Sequence, residues 1–169
     1  MTDSATAPRF RGGLILAWGL SALLLVALAG VIVSVVAIRR QQSRDDERAA
    51  ILQAGRQTAV DFTTYKYGNW DDDVKRVLNG STGQFKDEFS SASNQVKAEV
   101  VANQATSDGK VLEAAVVSMD TDSAQILVVA DAVVTNTAVK TGQQRHYRIK
   151  LDMVREGSRW LTADLQAVG

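Results

Sequence analysis

The sequence predicts an α+β domain carried behind a single hydrophobic helix, and three observations predict it. No charged residue occurs from Gly12 through Ile38. Apolar residues then recur at three- and four-residue spacing as far as about residue 103. From Val111 onward the period changes to two, and apolar runs are separated by turn signals. Helices grouped before strands imply helices packed on an antiparallel sheet.

A chain of 169 residues has room for one domain plus an anchor. Its 19 Lys and Arg balance 19 Asp and Glu, and from Gln41 to Gly169 the counts are 15 and 18. No global field therefore argues for a nucleic-acid partner. The chain has no cysteine, which excludes disulfides, thiolate metal sites and a cysteine nucleophile.

The uncharged run reads GGLILAWGLSALLLVALAGVIVSVVAI. At about 1.5 Å per residue it spans roughly 40 Å as a helix, more than the ~30 Å hydrocarbon core. A transmembrane helix over 12–38 follows, with Leu14, Trp18, Leu24, Gly30 and Val36 along it. Ala27-Leu28-Ala29 matches a signal-peptidase site, but an apolar run from Val31 to Ile38 follows directly, without a polar cleavage region. Arg9 and Arg11 before the run, and Arg39 and Arg40 after it, leave orientation open by charge counting. The expected organisation is a tail at 1–11, the span, a charged stalk at 39–50 and a domain at 51–169.

In the soluble part, a helix from Gln41 to about Tyr67 carries Ile51, Ala54 or Gly55, Thr58 or Ala59, Phe62, and Tyr65 or Lys66 on one mixed apolar stripe. Gly68-Asn69 breaks it. Asp71 to Asp73 precede Val74, Val77 and Leu78, so Asp caps a short helix that Asn79-Gly80 ends. A third helix runs from about Thr82 to Asn103, with Phe85, Phe89, Ala92, Val96 and Val100 near one face.

Four strands follow, at Val111–Met119, Ala124–Thr135, His146–Arg155 and Trp160–Val168, separated by turns at Asp120–Ser123, Asn136–Gly142 and Glu156–Ser158; Asp108-Gly109 reads as the turn before the first. The third alternates cleanly: Tyr147, Ile149, Leu151 and Met153 face inward, His146, Arg148, Lys150 and Asp152 outward. A curved four-stranded antiparallel sheet around three helices is the cone of the nuclear-transport-factor-like superfamily.

Several phrases resemble the actinobacterial Mce-associated membrane proteins. These are Ala59-Val60-Asp61-Phe62-Thr63-Thr64-Tyr65-Lys66-Tyr67, then Gly83-Gln84-Phe85-Lys86-Asp87-Glu88-Phe89, and Gln144-Arg145-His146-Tyr147-Arg148 running on to Leu151-Asp152-Met153-Val154-Arg155 and Arg159-Trp160-Leu161. The resemblance implies a plasma-membrane protein with a cytoplasmic N-terminus and an extracytoplasmic domain. It also implies the cone fold, shared with bitopic assembly proteins of type IV secretion systems. The role it implies is that of an accessory subunit of a Mce-type lipid or sterol importer, with the Mce subunits and permease as partners. The family brings no catalytic residues.

The side chains agree with a non-enzymatic reading. His146 is the only histidine and stands on a polar strand face without a motif for a base or a metal ligand. Three adjacent aspartates at 71–73 point in different directions on a helix and have no spaced partners. No catalytic residue, cofactor or metal is expected. The candidate interface is Tyr65, Tyr67 and Trp70 at the end of the long helix, with Arg145, His146 and Arg148 on the third strand. The basic residues suit an acidic partner or a lipid headgroup, and self-association is a further expectation. An alternative is a scaffold in another envelope machine, of the type IV secretion kind. A second is a small-molecule binder or enzyme using the cone, with Asp61, Asp131 or His146 in a closed, partly polar pocket.

Overall fold

The computed structural model describes the backbone of residues 11–168 and side chains from residue 34 to residue 168. Helix α1 covers Arg11–Thr63, strand β1 Tyr65–Lys66, helix α2 Trp70–Asn79 and helix α3 Gly83–Ala102. Strands β2 (Thr106–Met119), β3 (Ser123–Thr135), β4 (Gln143–Glu156) and β5 (Arg159–Ala167) follow. The chain divides into two compact units at Asp45/Asp46. Among the described residues no helix is long and apolar enough to cross a membrane. Leu14, Trp18, Leu24 and Gly30 of the expected span lie outside the described side chains. Val36 lies within them, 43% exposed.

In the unit that begins at Asp46, one antiparallel sheet in the order β1-β2-β3-β4-β5 curls around the helices. The sheet has five strands, not the expected four. The addition is the pair Tyr65–Lys66, which is too short to display a period and is held by pairing with Ser107 and Thr106. The same pairing ends α1 at Thr63 rather than at Tyr67. Ser107 Oγ donates to the Thr63 carbonyl at 2.6 Å, satisfying one acceptor that the helix end leaves open.

The core lies between α1 and the inner sheet face. Ile51 and Ala59 meet Ile126, Val128, Ile149, Leu151 and Met153, all at most 2% exposed. Gly55 makes this close approach feasible, because a Cβ there would sit 1.8 Å from Ile126 Cδ1. The cone interior is thus filled by its own helix. Phe62, Phe85 and Phe89 extend the core towards α3, with ring centroids 5.8–6.3 Å apart. Further along α3, Ala92 and Val96 are exposed, against the expected apolar face. The helix outruns the surface it packs on.

Two more expectations are corrected. Asp108-Gly109 is not a turn but lies inside β2. Gly109 is there because a Cβ would fall 2.0 Å from Thr63 Oγ1, where the end of α1 crosses the strand. Helix α2 is preceded by Asn69 rather than capped by an aspartate side chain. Asp71, Asp72 and Asp73 fill its first turn, where negative charge suits the dipole. Asp73 reaches outside the helix to accept from Lys66 N at 2.7 Å, and within the helix it accepts from Arg76 Nη1 at 2.7 Å.

The link from α2 to the sheet is a short parallel bridge between Ser81 and Thr162. Thr162 N donates to the Gly80 carbonyl and Thr82 N to the Thr162 carbonyl, both at 2.9 Å. Thr162 is fully buried, and its hydroxyl donates to Thr58 Oγ1 at 3.0 Å.

Candidate functional site

The register of the sheet divides the basic residues of β4 between its two faces. Arg145 stands opposite Ala132 and Tyr147 opposite Ala130, and both alanines are buried, so these two residues share the inner face. His146 stands opposite Asp131 and Arg148 opposite Val129, on the outer face. The expected interface residues are therefore not one patch.

On the inner side, at the open end of the sheet, the Tyr65 and Trp70 rings meet edge to face with centroids 5.5 Å apart. Burial pushes the Tyr65 phenol above its ordinary pKa; the nearby Tyr147 adds to this and Arg145 opposes it. Tyr65, Trp70, Tyr147 and Arg145 thus belong to one neighbourhood, where helix and sheet close. Tyr67 is 40% exposed beside it, its backbone N–H donating to Ala105 O at 3.0 Å.

On the outer side, His146 Nδ1–H donates to Asp131 Oδ1 at 2.6 Å, and Gln144 Nε2 donates to Asp131 Oδ2 at 3.2 Å. The His146 hydrogen bond leads in holding the Asp131 carboxyl below its ordinary pKa. Lys150 approaches Asp152 at 3.9 Å. Arg148 has no ion-pair partner among the described residues.

Beside these residues lie exposed apolar side chains that the sequence reading did not isolate. Leu127, Val129 and Val133 on β3 are exposed, as are Leu112 and Val117 on β2. The signal was present: residues 126–130 read ILVVA, without alternation, so both faces of β3 are apolar.

A groove of about 460 Å³ lies between α1, α2 and the β4–β5 turn, lined among others by Gln57, Asp61, Arg76, Arg159 and Trp160. Asp61 Oδ1 accepts from Gln57 Nε2 at 3.0 Å and faces Arg76 Nε at 3.5 Å. The groove is open to solvent, and its carboxylate is already paired. Asp131 and His146 are on the opposite side of the sheet from the packed interior, so the three residues of the small-molecule reading do not converge. Among the described residues no group of three or more His, Asp or Glu side chains is placed to hold a metal ion.

Residues 15–168 match the family described as uncharacterized protein Rv1363c/MT1408-like. The chain belongs to this family. Uncharacterized protein Rv1363c of Mycobacterium tuberculosis is 32% identical over 123 residues, which are 72% of this chain and 47% of that protein. The chain thus spans about half the length of the curated relative it matches. Among solved structures, an IcmL-like type IV secretion system protein of Legionella pneumophila superposes with a TM-score of 0.61 at 16% identity, covering 72% of this chain and 91% of that one. The periplasmic domain of DotI gives 0.57 at 16% identity, covering 71% and 94%. VirB8 of Agrobacterium tumefaciens gives 0.57 at 9% identity, covering 73% and 92%. The Rv1363c-like chain therefore has the nuclear-transport-factor-like fold, in the form seen in type IV secretion proteins.

Proposed function

We propose that this chain is a non-catalytic scaffold of a cell-envelope complex, anchored by the hydrophobic segment at 12–38 with its folded domain on the extracytoplasmic side. The observation that carries this reading is the filled cone. In a fold whose interior is a natural place for a ligand, α1 occupies that space, and what remains functional is surface. Likeness to VirB8, DotI and the IcmL-like protein supports the same reading, since each is covered over more than nine-tenths of its length by this one domain.

The candidate partner surfaces are the Tyr65–Tyr67–Trp70 end with Arg145, and the outer face with His146 and Arg148. A finer reading makes the complex a Mce-type lipid or sterol importer, with its permease and lipid-transfer subunits as partners. Its support is the sequence phrases around Phe62, Phe85 and Tyr147 alone.

Crosslinking in intact cells, followed by affinity purification of the tagged chain and mass spectrometry, tests both levels. Recovery of stoichiometric envelope subunits is expected, and their identity chooses between a secretion-type machine and a lipid importer. Recovery of the chain alone, with lipid bound to its folded domain, would overturn the scaffold reading in favour of a carrier.

A further inference from the structure

The groove of about 460 Å³ beside α1 takes its depth from small side chains. Ala50 and Ala54, one turn apart on α1, line it, and the end of α2 and the β4–β5 turn form its other walls. The helix contributes from Ala50 to Asp61. That length rises roughly 17 Å, the reach of about five residues of extended chain.

The charges lining it are unequally satisfied. Arg76 Nη1 meets Asp73 at 2.7 Å, and its Nε faces Asp61 at 3.5 Å. The Asp61 and Asp73 side chains are 13% and 8% exposed and that of Arg76 is 47% exposed, so this cluster presents guanidinium rather than carboxylate to solvent. Arg159 stands directly opposite Glu156 across the β4–β5 hairpin, where opposite charges favour pairing. The two charges nevertheless go elsewhere. Glu156 accepts from Thr82 Oγ1 at 2.6 Å, and Arg159 Nη2 donates to the carbonyl of Asn79, the last residue of α2, also at 2.6 Å. The Arg159 guanidinium is thus fixed in the groove wall by one nitrogen. Its other two nitrogens have no partner, and no carboxylate pairs with it, among the described residues.

The uncharged groups narrow the chemistry that fits. The Gln53 and Asn79 side-chain amides and the Ser158 hydroxyl line the same groove, and none has a hydrogen-bond partner among the described residues. Each of the three both donates and accepts, as backbone peptide groups do. A phosphate group brings acceptors only and would leave half of this capacity unused. A small free carboxylate would gain little burial in a groove open to solvent, whereas a chain that continues past both ends gains contacts along its length. We propose that this groove docks a segment of a partner polypeptide, with an acidic side chain received by Arg159. Gln53, Asn79 and Ser158 pair with the backbone of that segment, and the guanidinium, already held in position, loses little freedom when the carboxylate arrives. The inference rests on the scaffold reading, to which it adds a docking site and a partner chemistry.

The test uses the full, tagged chain in intact cells. Ser158, in an exposed turn, is replaced by the photo-crosslinker benzoylphenylalanine, and the crosslinked peptides are sequenced by mass spectrometry. The captured segment is expected to carry Asp or Glu beside the point of attachment. Arg159→Glu should lower the yield roughly tenfold, and Lys in place of that partner acid should restore it. Ala50→Trp fills the groove from an exposed position and should lower the yield even where Arg159→Glu fails to fold. In detergent micelles, the side-chain amide signals of Gln53 and Asn79 are followed by NMR against N-acetylglutamate methylamide, its glutamine counterpart and inorganic phosphate. The glutamate compound should bind most tightly.

A captured segment without an acidic residue, a yield untouched by Ala50→Trp, or equal binding of the glutamate and glutamine compounds would overturn the proposal. Tighter binding of phosphate would overturn it in favour of a phosphate-bearing headgroup. Envelope subunits recovered with no crosslink from position 158 would sink the groove while leaving the scaffold reading standing. A charge-dependent crosslink without a stoichiometric complex would do the reverse.

Discussion

Glu47 accepts a hydrogen bond from the indole of Trp160 at 2.7 Å through the same oxygen, Oε1, that meets Arg155 Nη1 at 2.9 Å. The Arg155 guanidinium in turn lies 6.0 Å from the Trp160 ring centroid. One carboxylate thus ties α1 to both β4 and β5, and the tie joins residues 113 positions apart. Ile51, one turn further along the helix, is fully buried.

Glu47→Ala should destabilise the domain. Trp160 is only 7% exposed, so its N–H loses its acceptor where water has little access. Hydrogen bonds to charged groups contribute about 1.5–3 kcal/mol, and the partly exposed carboxylate argues for the lower part of that range. A fall in midpoint of roughly 5–10 °C in thermal denaturation by circular dichroism is expected. An unchanged midpoint would show that the carboxylate contributes nothing to stability.

The fit between Gly55 and Ile126 predicts a rescue. Gly55→Ala places a methyl group against the end of the Ile126 side chain, which is fully buried and must shift. Overpacking of this kind costs about 1–3 kcal/mol, partly offset by the better helix propensity of alanine. Ile126→Val removes Cδ1, so the double variant should be more stable than the sum of the two single changes allows. Additive losses in urea denaturation would refute the contact.

Gly109→Ala should cost more than Gly55→Ala, with no comparable rescue. There the clash includes the Thr63 backbone carbon at 3.0 Å as well as its side chain. Midpoints from the same denaturation series give the order directly.

The pair Asp131–His146 predicts an acid limb in stability. The folded Asp131 carboxyl is held below its ordinary value, chiefly by the His146 hydrogen bond. Its contribution is therefore complete above the unfolded carboxyl pKa of about 3.9 and is lost as pH falls through the lower folded value. Glu113 behaves alike, lowered first by the Ala114 N–H and then by Arg56. Asp131→Asn should flatten the fall in thermal midpoint below about pH 4. An acid limb identical to that of the parent chain would show that the pair is not coupled to folding.

Much of the domain was legible in the sequence where a period was long enough to read. The alternation from His146 to Met153 placed Ile149, Leu151 and Met153 on the buried face, as found. Phe85 and Phe89, four residues apart, both reached the aromatic cluster. What could not be read was decided by contacts distant in the chain. Gly109 carries the local signature of a turn, and only the crossing of Thr63 makes it a strand residue. Tyr65–Lys66 is a strand because Thr106 and Ser107 are beside it. Of the candidate interface residues, the adjacent positions Arg145 and His146 fall on opposite faces of the sheet, a division set by strand register and not by residue type.

The neighbour order of the sheet has a further consequence. From β1 to β5 each strand pairs with the strand preceding it in the chain. The helix that fills the interior precedes them all. From β2 onward, a chain leaving the ribosome therefore adds each strand to a sequence neighbour that has already been made. Only the two-residue β1 waits for a later strand; from β2 onward every new hairpin can close on a surface already in place. The long-range ties, from Glu47 to Trp160 and from Ser81 to Thr162, come last, when β5 emerges. Assembly of this domain can follow the direction of its synthesis, with the final strand acting as the latch.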